Sequence, residues 1–372
     1  METHPSLAAN DKYLALCYLT HNKLSLKVWN KEKKIVTEKV FISRPVDNRF
    51  NRPQCAFDNY SNKIYIVYGN PDFYNCEQLA LIVFDIDQDD IIEETQIHAG
   101  GYIINTVRID SGFDAPMCAY ACWSKKKHYK IEIFDCIKKQ KQTIYEGPKE
   151  WQINDISQMF VSYRCANEAG MIKNFLDNYA VIIPKPTDDT YTVSEGSMVF
   201  KNGILYHAFI VTFRDDKKDH TQYLFTYDIE TKQARTLELD AVNYVVKGID
   251  SWARIYVDGE ETVFVAFTTN SGKKIKLHKI VDELKDDNKE FESEVAEYSY
   301  CDIVGFNGGL WLAYEHYYNI HIDEVWDCAT EPTQLKPIYI IEKETEESET
   351  KTSIKETIIK AIWNWIRKKL KI

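Results

Sequence analysis

The densest group of side chains able to hold a metal ion is His316 and His321 with Glu315, Asp323 and Glu324. Imidazole nitrogens and carboxylate oxygens suit zinc. An odd separation, however, sends the two histidines to opposite faces if the strand is continuous, so a shared ion is not expected. A second candidate, Asp85-x-Asp87-x-Asp89, opens like a calcium loop, but the sixth and twelfth positions, where such a loop needs Gly and Glu, are Asp90 and Gln96. It reads as a solvated turn. Cys118 and Cys122 share a strand face but stand about 13 Å apart at 3.3 Å per residue, too far for a disulfide. Both read as core. There is no Gly-rich phosphate loop, Gly-x-Ser-x-Gly elbow or His-Glu-x-x-His helix. No catalytic set, metal site or cofactor is therefore expected. The 57 Asp and Glu residues keep one enzymatic alternative open, a hydrolase with carboxylates at the mouth of a central channel.

The elements that would position any such group repeat along the chain. A small residue followed by an aromatic occurs as Cys17-Tyr18, Val67-Tyr68, Ala119-Tyr120, Ser162-Tyr163, Ala208-Phe209, Ala266-Phe267 and Ala313-Tyr314, with the aromatics 50, 52, 43, 46, 58 and 47 residues apart. Each closes a short apolar run. A period near fifty built from strands predicts a seven-bladed β-propeller. The pairs are expected on the innermost strands, with small residues letting sheets approach near the axis and aromatics filling the wedge between blades.

Some 12 to 19 residues after most pairs, an alternating strand ends in a bulky residue and Asn or Asp: Trp29-Asn30, Phe84-Asp85, Phe134-Asp135, Tyr227-Asp228, Val281-Asp282 and Trp326-Asp327. The fourth repeat lacks this ending. Its strand is expected at Tyr179–Ile183, with Pro184-Lys-Pro186 replacing the turn, because proline cannot donate to a ladder. The segment Cys165–Asn178 reads as the longest excursion beside an inner strand. Asn167, Glu168, Met171, Lys173 and Phe175 are its candidate contact residues, since functional loops project from rigid scaffolds. Asn202-Gly203, Asp258-Gly259 and Asn307-Gly308-Gly309 are hairpin signals.

Strands ending Val28-Trp29-Asn30, Val83-Phe84-Asp85, Ile133-Phe134-Asp135 and Val325-Trp326-Asp327, each followed by a turn and another strand, resemble degenerate WD repeats over roughly residues 10–341. The family's Gly-His dipeptide is not recognisable, and Trp-Asp is literal only at Trp326-Asp327. The resemblance implies a non-catalytic docking platform, and no ligand residue carries over from it.

After Ile341 the chain changes character. Residues 1–341 are expected to form the propeller, 342–352 an acidic flexible linker, and 353–372 a helix. The linker is charged and polar with no apolar anchor. Ser353-Ile-Lys-Glu356 is a capping box. Stepping 100° per residue places Ile354, Ile358, Ile359, Ile362, Trp363, Trp365, Ile366 and Leu370 in one apolar arc, with Lys360, Arg367, Lys368 and Lys371 opposite. This pattern fits a helix lying on an anionic membrane. It fits equally a helix that engages a protein partner or docks on its own domain, or an effector peptide released by cleavage of the linker.

Charge separates the two parts. The chain carries net −11, and residues 351–372 carry seven Lys or Arg against one Glu, so the first 350 residues carry −17. Such a body argues against nucleic acid, whose phosphates demand clustered cations. Nine cysteines without tight spacing do not form a disulfide framework. That points to a reducing compartment, and with no secretory signal pattern at the start the expected location is cytoplasmic, peripheral at a membrane if the helix binds lipid. A protein partner is expected, and a small-molecule substrate is not.

Overall fold

The computed structural model describes residues 2–45, 52–72, 75–99, 103–112, 114–124, 126–165, 168–185, 190–213, 220–242, 253–269, 274–281, 284–292, 300–316 and 319–329. All belong to one compact unit, Met1–Pro332. The acidic linker and every residue named for the basic helix, Ile354 through Lys371, lie outside the described residues, as does Asn167.

Seven antiparallel sheets follow one another along the chain. Blade one comprises β1 (Glu2–Ala9), β2 (Tyr13–Thr20), β3 (Lys23–Asn30) and β4 (Ile35–Pro45), and blade two β5 (Gln54–Phe57), β6 (Lys63–Asp72), β7 (Asn75–Asp85) and β8 (Asp90–Ala99). Blade three holds β9 (Ile103–Asp110), β10 (Met117–Trp123), β11 (Tyr129–Asp135) and β12 (Gln140–Gly147), and blade four β13 (Gln152–Ser157), β14 (Phe160–Arg164), β15 (Gly170–Asn174) and β16 (Ala180–Ile183). Blade five has β17 (Thr190–Lys201), β18 (Ile204–Phe213), β19 (His220–Asp228) and β20 (Ala234–Val242), and blade six β21 (Ala253–Val257), β22 (Val263–Thr269), β23 (Lys274–Val281) and β24 (Leu284–Glu292). Blade seven shows β25 (Cys301–Phe306), β26 (Gly309–His316) and β27 (Asn319–Asp327) among the described residues. The first strands touch in sequence, β1 to β5, β5 to β9 and so on to β25, which returns to β1. The ring is closed, and the chain is a seven-bladed β-propeller.

The repeated dipeptide lies on the second strand of every blade, not the innermost one. The second strand is covered on both faces and both edges, so it carries the most apolar sequence, whereas the first strand faces the axis and bears polar groups. All seven small residues, from Cys17 to Ala313, are fully buried at 0% exposure. Adjacent residues on a strand point to opposite faces, so the two members of each pair serve different seams. Cys17 shares a buried cluster with Tyr68 of the next blade, Val67 with Tyr120, and Ala119 with Tyr163. Ala208 likewise shares one with Phe267, Ala266 with Tyr314, and Ala313 with Tyr18 across the closure. An aromatic thus meets a small side chain at each of these seams, and each buried ring contributes about 1.5–3 kcal/mol.

Third strands end on a side-chain cap. Asp85, Asp135 and Asp228 each accept on Oδ1 the backbone N–H two residues on, at 2.8–2.9 Å, as Asx turns do, and Asn30 Oδ1 accepts from Lys34 N at 2.9 Å. Blade four obeys the same rule through Asn174, whose Oδ1 accepts from the Leu176 N–H at 2.9 Å. Its third strand is therefore β15, inside the segment read as an excursion, and Tyr179–Ile183 supplies the outer strand. The hairpin signals hold where φ is positive at both central residues: Asn202 and Gly203 at 51° and 82°, Asn307 and Gly308 at 53° and 80°, as a type I′ turn requires.

Candidate functional site

The axis is where a propeller gathers polar groups, and the first strands supply them here. A first strand has one edge without a strand partner, and its N–H groups need acceptors. The preceding blade provides them. Ser6 Oγ accepts from Cys55 N at 3.2 Å, Thr106 Oγ1 from Ile153 N at 3.1 Å, and Asp110 Oδ2 from Gln158 N at 2.8 Å. Asp155 Oδ2 accepts from Met198 N at 2.8 Å and from the Ser197 hydroxyl at 2.6 Å, and Ser157 Oγ from Phe200 N at 3.0 Å. At the closure Asp302 Oδ2 accepts from Leu7 N at 2.7 Å. In each case the side chain belongs to one blade and the backbone donor to the next. Asp302 also meets Arg254 of blade six, Nε to Oδ1 at 3.0 Å, and Arg108 Nε donates to Asn154 O at 2.9 Å. Burial raises the carboxyls of Asp110 and Asp302, against backbone N–H groups at Asp110 and chiefly the Arg254 charge at Asp302. These carboxylates have the chemistry of catalysts but are occupied in joining blades.

A second group gathers at the end of the ring where first strands begin. His4 lies near the start of β1, Arg52 precedes β5, Tyr300 precedes β25, and Glu315 lies near the end of β26. The His4 ring stacks on Tyr300 with centroids 4.6 Å apart, and the Arg52 guanidinium lies 3.4 Å from the same ring's centroid. Glu315 Oε1 accepts from the His4 backbone N–H at 2.5 Å, and Glu315 N donates to Tyr300 O at 3.3 Å. Only 4% of Glu315 is exposed. Burial pushes its carboxyl up to about 8, against the opposing pull of the His4 N–H and the Arg52 charge. Burial, with the Arg52 charge, pushes the His4 imidazole down to about 3. Near neutral pH a protonated carboxylic acid and an uncharged imidazole therefore sit side by side. A carboxyl protonated at neutral pH is the form a general acid needs, but this one is buried and holds blade seven to β1.

The other sequence candidates go to ordinary partners. Asp85 caps its own turn, Asp87 accepts from Asn62 Nδ2 at 2.9 Å, and Asp89 pairs with Lys39 of blade one at 2.6 Å, so the three carboxylates do not converge. His316 and His321 lie on paired strands of a hairpin rather than on one continuous strand, and His321 stacks on Tyr314 with centroids 5.6 Å apart. Cys118 and Cys122 are buried in the seam between blades two and three. Of the candidate contact residues, Glu168 pairs with Lys149 at 2.5 Å, Met171 and Lys173 lie on β15, and Phe175 is buried in the seam between blades three and four. A side chain packed in that seam is not available to a partner. A groove on blade five, lined by Leu224, Thr226, Arg235, Thr236 and Leu237, has a volume of about 180 Å³, below the roughly 300–1,000 Å³ of small-molecule sites. No helix among the described residues is long and apolar enough to cross a membrane.

No family model matches the chain, and no curated protein sequence does. Its structure is similar to an oligogalacturonate lyase solved in complex with manganese, at 8% identity and a TM-score of 0.54 over 87% of each chain. It is also similar to the AfRom2 CNH domain, at 11% identity and a TM-score of 0.49 over 88% of this chain and 96% of that one. For the WD40 domain of Toxoplasma gondii coronin the values are 9% and 0.49, over 86% and 83%. At such identities the likeness is one of fold, and a propeller hosts many functions.

Proposed function

We propose that the chain is a non-catalytic propeller platform for protein–protein interaction, whose C-terminal cationic amphipathic helix engages a protein partner or an anionic membrane. The observation that carries the reading is the fate of the axial polar groups. Asp110, Asp155 and Asp302 each accept a backbone N–H from the next blade. Groups committed to that task are not available to a substrate, so recognition moves to the rims and the tail. The opposed charges, −17 on the body against +6 on residues 351–372, support a tail with its own partner. A cytoplasmic site fits eight free cysteines among the described residues.

Flotation with anionic liposomes tests the tail, comparing the full chain with a chain ending at Glu349. Flotation of the full chain alone carries the membrane role, and equal behaviour leaves the protein partner.

One observation favours the second reading, a hydrolase at the channel mouth. Glu315 keeps its proton up to about 8, beside His4 and Arg52. Turnover of ester, glycoside or peptide substrates that disappears in Glu315→Gln would carry it; an inert wild-type protein removes it.

A further inference from the structure

We propose that His98, Cys122 and Glu132 form a binding site for a divalent ion of the zinc class at the seam between blades two and three. Imidazole nitrogen, thiol sulfur and carboxylate oxygen here lie within 4.8 Å of one another. Around a tetrahedral ion with bonds of 2.0–2.3 Å the same atoms would stand about 3.3–3.8 Å apart. Closing that gap takes about 1 Å of side-chain movement.

Three strands from two blades place the donors. His98 sits near the end of β8, opposite Leu79, and Cys122 near the end of β10. Glu132 lies on β11 opposite Tyr120, two residues before Cys122 on the same strand face. Cys122 is 2% exposed, and His98 and Glu132 are half-buried, so the ion would lie at the mouth of the seam with a protein wall behind it. Tyr120 orients the set from within. Its hydroxyl donates to Glu132 Oε2, and its ring meets the His98 ring edge-on with centroids 5.7 Å apart.

The repeat itself marks this place as exceptional. Opposite the repeat aromatic the other blades carry Ser25, Ala80, Met171, Tyr223, Lys276 and His321. Only blade three joins a carboxylate there to a Cys two residues beyond the aromatic; blade four has the Cys, Cys165, but Met171 opposite its aromatic. The nearest cation in the register, Lys130 opposite Cys122, has Glu146 as its counter-charge at 3.2 Å.

The donor set decides the class of ion. Calcium and magnesium take oxygen ligands, whereas thiolate with imidazole selects zinc and its neighbours. Three protein ligands leave a fourth position for water or a partner's side chain. Binding exchanges the Cys122 S–H bond for a metal–sulfur bond and passes one proton to solvent, and no electron is transferred. Apparent affinity therefore rises about tenfold per pH unit above neutrality.

Cobalt(II) titration of the reduced full-length protein tests the site, because a cobalt–thiolate bond gives a near-ultraviolet charge-transfer band. One equivalent should raise the band, and zinc should bleach it. Cys122→Ser should abolish it, and the conservative Glu132→Gln, at a half-buried position, should weaken binding on the order of tenfold or more. Cys328→Ser should leave it intact. A wild-type protein without the band, or a band that survives Cys122→Ser, overturns the proposal.

Discussion

Replacing Glu315 by glutamine should reshape the pH dependence of stability in a direction that burial alone dictates. The carboxyl moves from an ordinary 4.5 to about 8 on folding. Between those values the unfolded chain has released the proton and the folded chain has kept it, so the folded state binds more protons and loses stability as pH rises. At 1.36 kcal/mol per pH unit, the whole window amounts to about 5 kcal/mol, fully lost above pH 8. Glutamine presents a carbonyl oxygen to the His4 N–H and has no proton to lose. The stability difference, variant minus wild type, should therefore climb by about 5 kcal/mol between pH 4.5 and pH 8. His4 contributes the opposite trend at lower pH. Its imidazole falls from 6.5 to about 3, so its share of stability is present above 6.5 and lost as pH drops toward 3. Both proteins keep His4, so its effect cancels in the difference. Urea unfolding followed by tryptophan fluorescence, across pH 4 to about 9, measures the curve. Two parallel profiles would refute the reasoning, because a carboxyl reached by water titrates alike in both states.

Other predictions follow from the packing. Asp302→Asn removes the carboxylate that meets the buried Arg254, their side chains being 11% and 7% exposed, and should cost about 3–5 kcal/mol in urea unfolding. Adding Arg254→Met should restore most of that loss. Ala208→Leu puts extra volume at a fully buried position in the seam that holds Phe267 and should cost about 1–3 kcal/mol, whereas Ala180→Leu at an exposed position should change little in the same assay. Gly203→Ala meets no atom within 4 Å but must adopt φ +82°, so a loss of about 1–2 kcal/mol in thermal unfolding would be purely a backbone effect.

Blade number was legible because one packing problem recurs seven times. An aromatic and a small residue meet at six of the seams, and the strand's two-residue alternation writes them side by side, as in Ala119-Tyr120 and Ala208-Phe209. Depth within the blade was not legible. The first strands carry Ser6, Arg108, Asp155, Arg254 and Asp302, which look like surface until the neighbouring blade is present to use them. The third strand of blade four escaped because β14 and β15 have five residues each, which brings Asn174 to 11 residues after Tyr163, short of the interval seen in the other repeats. The rim group was invisible for another reason. His4 and Glu315 are 311 residues apart, and only closure of the ring makes them neighbours.

That closure also separates residue type from residue role along the axis. A buried aspartate in a channel has the chemistry of a catalyst, but each first strand presents an unpaired edge, and an N–H without an acceptor costs about 1–3 kcal/mol. Asp110, Asp155 and Asp302 answer that need, one blade reaching for the next. His98, Cys122 and Glu132 stand apart from this scheme. They lie in the seam between blades two and three, where the imidazole, thiol and carboxylate come within 4.8 Å of one another. A side chain the fold uses is explained by its partner. A convergent set that the repeat does not call for needs some other account, and the ion supplies one.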